Sequence, residues 1–260
     1  MSRTYLALLH YDGRDFVGWQ RQPEGRSVQS EVERVLEQLC GRRVVAHAAG
    51  RTDAGVHAVG QGVSFTVPPR WTAERLRRAL NALLPRDCWV AAVSEMMPGF
   101  HARKHAVRRR YRYDVGTDEA AASPFRRPYE WALGRPLDRA ALDEAASLIR
   151  GTHSFEAFAA RSGPKLHYRC TVLEARWEPR DGDRGFSFHI AADRFLHHMV
   201  RFLVGTMVDI GLGRRPLADL PTLLASRDNQ ATSVPAPPQG LFFVAAEYPA
   251  ACYAAPVEAA

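Results

Sequence analysis

Apolar and polar positions along this chain follow two rhythms, one with the period of a strand and one with that of a helix. Residues 4–11 form a β-type run closed by the turn pair Asp12-Gly13. Ser27 stands where a helix N-cap belongs. Behind it Val28, Val32, Val35, Leu36 and Leu39 share one helical face, with Gly41 as the stop. Residues 43–49 and 61–67 read as strands flanking a loop over 50–60. Thr72 opens a second helix through Leu76, Leu80, Leu83 and Leu84, halted by Pro85, and strands return at 88–95 and 107–116. The order, roughly β-α-β-β-α-β, is that of an α+β half-domain.

A similar order follows. Asp138 caps a helix carrying Leu142, Ala145 and Ile149, and strands at 168–177 and 185–191 flank a polar Asp-Gly-Asp-Arg turn. A long helix is expected over 194–211, a short one before Asp228 and a strand at 241–248. The predicted fold class is therefore α+β, with two similar halves and mostly antiparallel sheets. The halves are 1–116, carrying the 50–60 loop, and 129–248, with a linker at 117–128 and a frayed Ala-Pro-rich tail at 249–260.

Composition narrows the class only where charge enters. A chain of 260 residues with 46% hydrophobic and 24% charged residues is an ordinary globular sequence. The formal charge of +7 suits a polyanionic partner, because neutralising phosphates releases condensed counterions. A solvated basic surface would look the same. The excess is arginine, with lysine only at 104 and 165, and arginine both forks onto phosphate and stacks on bases, which leans toward RNA. The cysteines at 40, 88, 170 and 252 have no zinc spacing and read as free thiols. Met1-Ser2-Arg3-Thr4 lacks the apolar run of a signal peptide, and no stretch is long and apolar enough for a membrane helix. A cytoplasmic location without membrane association is expected.

Three stretches carry candidate chemistry. In Gly50-Arg51-Thr52-Asp53-Ala54-Gly55-Val56-His57, glycines bracket one acid beside one arginine, allowing close approach by a ligand. An aspartate in such a loop also commonly caps a turn. In the expected long helix His197, Arg201 and Gly205 fall on one stripe of an otherwise apolar surface. A buried Arg201 needs a carboxylate or phosphate, unless its stem carries the head to solvent. In the strand Arg108-Arg109-Arg110-Tyr111-Arg112-Tyr113-Asp114-Val115, Tyr111, Tyr113 and Val115 face one way and Arg110, Arg112 and Asp114 the other. That pattern fits phosphate contact with base stacking, and equally tyrosines turned into a core.

Together these residues resemble one family. The loop from Ala49 to Ala58 looks like the catalytic motif of the TruA-type tRNA pseudouridine synthases. In the same order as in that family come Tyr11-Asp12-Gly13, Phe16, Gly18-Trp19-Gln20-Arg21-Gln22 and Ser27-Val28-Gln29. Asn81, Leu84-Pro85, Phe100-His101-Ala102-Arg103, Arg109-Arg110-Tyr111-Arg112-Tyr113, His198-Met199-Val200-Arg201, Val204-Gly205 and Gly240-Leu241 follow. The likeness runs from Tyr5 to Tyr248. Two departures stand out: Phe202, where the family commonly has an amide residue, and the loop Ser233-Val234-Pro235-Ala236-Pro237-Pro238-Gln239-Gly240-Leu241-Phe242, where it usually has Thr-Ala-Pro-Ala.

The resemblance implies two α+β halves around a central basic cleft and isomerisation of uridine to pseudouridine in the tRNA anticodon stem-loop, at positions 38 to 40. That reaction breaks N1–C1′, turns the uracil and relinks it through C5, with no net redox change; no cofactor and no metal are implied. Asp53 is then the nucleophile or base, a role a carboxylate can fill against an electron-poor C1′. Arg201 is expected to pair with Asp53 and favour its ionised form, and Tyr111 to pack on the uracil and help proton transfer. Arg51 fills the space left by the flipped base. Thr52, His57, Arg103, Arg109, Arg110, Arg112 and His198 are expected to bind substrate, and a homodimer to carry one tRNA across both subunits. The competing readings are a non-catalytic RNA-binding protein, a pseudouridine synthase with another RNA target, and a metal-dependent nucleic-acid hydrolase. The last is disfavoured because no second carboxylate accompanies Asp53 in the loop.

Overall fold

The structure, a computed structural model, describes residues 2–160 and 167–254; Lys165 and residues 255–260 of the expected tail lie outside them. In chain order the strands and α-helices are β1 (Arg3–Tyr11), α1 (Val28–Cys40), β2 (His47–Ala48), β3 (His57–Val67), α2 (Ala73–Leu83), β4 (Cys88–Met96) and β5 (Arg108–Gly116), then β6 (Trp131–Ala132), α3 (Arg139–Leu148), β7 (Gly151–Ser154), β8 (Arg169–Pro179), β9 (Gly185–Ala192), α4 (Met199–Gly211), α5 (Asp219–Ala225) and β10 (Leu241–Glu247). The class is mixed α/β with mostly antiparallel pairing. The chain divides into two compact units, residues 1–108 with 243–260, and residues 109–242.

In the first unit the strand order is β4-β1-β3-β10, and β1 runs antiparallel to both β3 and β4. The Cβ that any other residue would carry at position 60 would lie 2.0 Å from the Val244 carbonyl oxygen, so the β3–β10 approach requires Gly60. Helix α1 starts with a reciprocal cap between Ser27 and Ser30, buries Val28, Val32, Val35 and Leu36, and stops at Gly41 in the left-handed conformation. Helix α2 is capped by Thr72 and buries Leu76 and Leu80. It is clamped to β4 by the Asn81 amide, which donates to the Val90 carbonyl at 2.9 Å and accepts from the Val90 N–H at 2.7 Å. Pro85 forces Leu84 out of helical geometry.

The expected strand over 43–49 shrinks to His47–Ala48, paired with Ser64 and Val63. The cause is Glu33, buried on α1, whose Oε1 takes the Ala46 N–H at 3.0 Å and draws the segment off the sheet. The loop ends sooner than expected because β3 already begins at His57. The end of the chain is pinned as far as residue 254: Met97 N–H donates to the Cys252 carbonyl at 2.9 Å and Ala254 N–H to that of Glu95 at 3.0 Å. The expected fraying therefore does not hold for residues 250–254.

In the second unit the strand order is β5-β9-β8-β7, antiparallel throughout, with β6 added in parallel to β5. Helix α3, capped by Asp138, packs against α4 and β8, while α5 packs on α3 and β7. Residues 117–128, expected as a linker, include a 3-10 turn at Glu119–Ala122 and a double hydrogen bond from Arg126 to Asp118 at 2.6 and 2.8 Å. The long helix begins at Met199, five residues later than expected. His198 sits in the left-handed region at φ 61°, and the His197 carbonyl accepts from Ala160 N–H at 3.0 Å, a bond that removes it from a helical ladder. His197 therefore lies outside the stripe it was expected to share with Arg201 and Gly205. No helix among the described residues is long and apolar enough to cross a membrane.

Candidate active site

The loop between β2 and β3 is held from three directions, all within the first unit. Behind it, the fully buried Gln61 side chain donates to the Gly50 carbonyl at 2.7 Å and accepts from the Gly50 N–H at 3.4 Å. Beneath it, the Thr52 hydroxyl meets the Tyr11 phenol at 2.7 Å, with both residues buried. Burial pushes the Tyr11 phenol well above its ordinary pKa, so it stays protonated and serves as a hydrogen-bonding strut. In front, Trp19 N–H donates to the Thr52 carbonyl at 3.0 Å, and a Cβ on Gly18, at φ +107°, would stand 2.6 Å from that oxygen.

This front wall is itself anchored by α1. Trp19 carbonyl accepts from Gln29 N–H at 3.0 Å, Arg21 N–H donates to Gln29 Oε1 at 3.1 Å, and Arg21 pairs with the buried Glu33. The same Gln29 and Glu33 side chains hold residue 46 before the loop. The run Gly18-Trp19-Gln20-Arg21-Gln22 thus couples the helix to the loop backbone.

Past Thr52 the chain turns, with Val56 N–H donating to the Asp53 carbonyl at 3.2 Å and Gly55 at φ +77°. Asp53 is half-buried on this turn, while Arg51 is exposed. His57 is 1% exposed, and its Nδ1 accepts the Gly13 N–H at 3.0 Å. The same nitrogen lies 3.3 Å from Asp12 Oδ1. His57 is therefore a buried bracket joining the Asp12-Gly13 turn to the loop, and sequence patterning gave no sign of that.

Beside the loop lies a groove of about 450 Å³, lined by Arg51, Arg103, Lys104, His47 and His101 among others. His47 and His101 stack with ring centroids 4.3 Å apart. Burial, with His47 and Lys104 nearby, holds His101 below its ordinary pKa, so the arginines and the lysine supply the charge at neutral pH.

In the second unit Tyr111, Tyr113 and Val115 point into the core. Tyr111 is 8% exposed with its ring edge-on to Phe195 at 4.9 Å, and Tyr113 donates to the Pro237 carbonyl at 2.7 Å. Asp114, expected outward with the arginines, is buried, accepting from Ser187 Oγ at 2.6 Å and from Arg112 at 3.1 Å. Arg110 is paired with Glu174 at 2.6 Å, Arg109 donates to the Asp193 carbonyl at 2.8 Å, and Arg112 lies over the Phe242 ring.

On α4, Arg201 Nε donates to the Ala236 carbonyl at 2.7 Å while Ala236 N–H returns a bond to the Arg201 carbonyl at 2.9 Å. One turn on, a Cβ at Gly205 would fall 2.1 Å from the Val234 carbonyl oxygen. The divergent 233–240 segment is thus clasped to α4 through backbone groups, which explains how its side chains can change. Phe202 is buried, 6.4 Å ring to ring from His198.

The first unit thus carries a braced loop bearing Asp53 and a groove lined by Arg51, Arg103 and Lys104. Comparison with known proteins gives the family. The family model for tRNA pseudouridine synthase matches residues 7–103 and 145–249. A tRNA pseudouridine synthase A from Moorella thermoacetica is 41% identical over 242 residues, covering 92% of this chain and 97% of that protein. Proteins of the same name from Myxococcus xanthus and Thermus thermophilus are 41% and 40% identical, covering 93% and 95% of this chain and 90% and 97% of their own lengths. The chain belongs to the tRNA pseudouridine synthase family. It is accordingly an isomerase acting on tRNA.

Proposed function

We propose that this protein converts uridine to pseudouridine in the tRNA anticodon stem-loop, at positions 38 to 40, with Asp53 as the group that attacks the flipped nucleotide. The observation that carries the reading is the way Gln61, Tyr11 and Trp19 fix the backbone at Gly50 and Thr52, with half-buried Asp53 on the turn that follows, two residues from Arg51 of the groove. A fixed carboxylate meets an electron-poor C1′ without first reorganising, which is where positioning lowers a barrier. Extracting the base costs a few kcal/mol of stacking, which contacts to the flanking RNA return. Tyr111 and Arg201 enter the proposal through the resemblance alone, and Tyr111→Phe and Arg201→Lys test them separately. A cytoplasmic homodimer is part of the same proposal.

The test incubates unmodified tRNA transcript with wild type and with Asp53→Asn, mapping pseudouridine by carbodiimide adducts and reverse-transcription stops. Stops in the anticodon stem-loop with wild type alone are expected. Stops elsewhere in the tRNA would reject the positional assignment, and equal stops with both proteins would reject the role of Asp53.

A further inference from the structure

We propose that the groove beside the loop is a backbone subsite that grips an RNA phosphate outside the reacting nucleotide, with Lys104 as its decisive cation. This rests on the reading of the chain as a tRNA-modifying enzyme and specifies where part of the RNA is held. The groove lies wholly within the first unit, and its lining residues include three cations, Arg51, Arg103 and Lys104, and no carboxylate. Elsewhere many arginines are paired with acids: Arg26 binds Asp87 at 2.6 Å, Arg110 binds Glu174 at 2.6 Å and Arg126 binds Asp118 at 2.6 Å. Arg51 and Lys104 have no ion-pair partner among the described residues, and no carboxylate lines the groove beside them, so both contribute positive charge there.

The shape of the site fits a polymer better than a small anion. A compact anion calls for donors converging on one point, whereas here the cations line an open trough together with stacked imidazoles. The Nδ1 of His101 accepts from Arg103 N–H at 3.1 Å, so in the neutral ring the proton resides on Nε2, available as a donor. A lysine among arginines also has meaning. Its ammonium is a point charge on a flexible stem, suited to following a phosphate whose orientation varies among tRNAs, where a guanidinium fork would demand one geometry. Arg51 belongs both to this groove and to the loop carrying Asp53, so a phosphate held here would fix the RNA beside the loop.

The experiment measures tRNA affinity across a potassium chloride series for wild type, Lys104→Gln and Lys104→Arg. Lys104 is exposed, so neither variant disturbs the core. Loss of one phosphate contact lowers the slope of log affinity against log salt by about 0.7–0.9 and weakens binding at low salt by on the order of threefold to tenfold. Lys104→Arg is expected to restore the slope. A slope and affinity for Lys104→Gln equal to wild type would overturn the proposal. Asp53→Asn separates the two readings, since it should bind with the wild-type slope while forming no pseudouridine. If wild type modifies tRNA and residue 104 leaves the slope unchanged, the subsite fails alone. If wild type modifies no RNA while Lys104→Gln lowers the slope, the enzymatic assignment fails and the RNA groove stands.

Discussion

Substituting Gly18 by alanine should disable the loop without touching any side chain of the candidate site. At φ +107° a non-glycine residue is strained by about 1–3 kcal/mol. The added Cβ would stand 2.6 Å from the Thr52 carbonyl oxygen and 3.1 Å from the Asp53 carbonyl carbon, both backbone atoms. Restoring an ordinary 3.4 Å contact requires a displacement of 0.8 Å, the difference between 3.4 and 2.6. Buried overpacking of that kind adds about 1–3 kcal/mol, for a total destabilisation of about 2–6 kcal/mol. Because the displaced atoms carry Asp53, and a 1 Å misplacement can cost ~100-fold in rate, kcat for pseudouridine formation should fall by about 10- to 100-fold.

Gly41→Ala is the matched control. It too has positive φ, at +70°, but nothing lies within 4 Å of the new methyl, so only conformational strain of about 1–2 kcal/mol applies and kcat is unchanged. Urea midpoints and single-turnover rates under saturating enzyme separate the two. A Gly18→Ala protein with the rate of wild type and the stability of Gly41→Ala would refute the claim that Gly18 sets the loop.

Two further outcomes follow from the same geometry. Thr52→Val leaves the buried Tyr11 hydroxyl short of its 2.7 Å partner and should cost about 1–3 kcal/mol, much of which the double variant Tyr11→Phe/Thr52→Val recovers; equal losses in both would remove the strut. His10, His101 and His189 are all held below their ordinary pKa, chiefly by burial, so the unfolded chain takes up their protons first as pH falls. Their contribution is complete above about pH 6.5 and is lost as pH drops through the folded values. The urea midpoint should therefore fall between pH 7 and 5.5, and a midpoint that holds or rises would contradict the burial argument.

What could be read from the sequence divides along a physical line. Caps at Ser27, Thr72 and Asp138 are local devices, satisfied within three residues, and each was legible with the helix it opens. Long-range competition was not. Glu33 takes the Ala46 N–H, Ala160 takes the His197 carbonyl, and both bonds cut short an element that periodicity alone would extend. The candidate loop was visible because glycine, arginine and aspartate are unusual together, but its supports were hidden. Tyr11 and Gln61 look like ordinary strand positions, and only burial shows that their polar atoms brace the loop. Lys104 and His47 carry no signal in spacing, since a groove is made by segments distant in sequence.

The pinning of residues 250–254 along Met96 and its neighbours has a practical corollary. Strand β4 is the outermost of its sheet, and the backbone from 252 to 254 occupies hydrogen-bonding groups there that would otherwise face solvent. An uncovered strand rim is a template for pairing between molecules. The closing residues thus act as a selvedge on the sheet, and a truncation placed just after Tyr248 would produce a protein prone to self-association while leaving the loop that carries Asp53 intact.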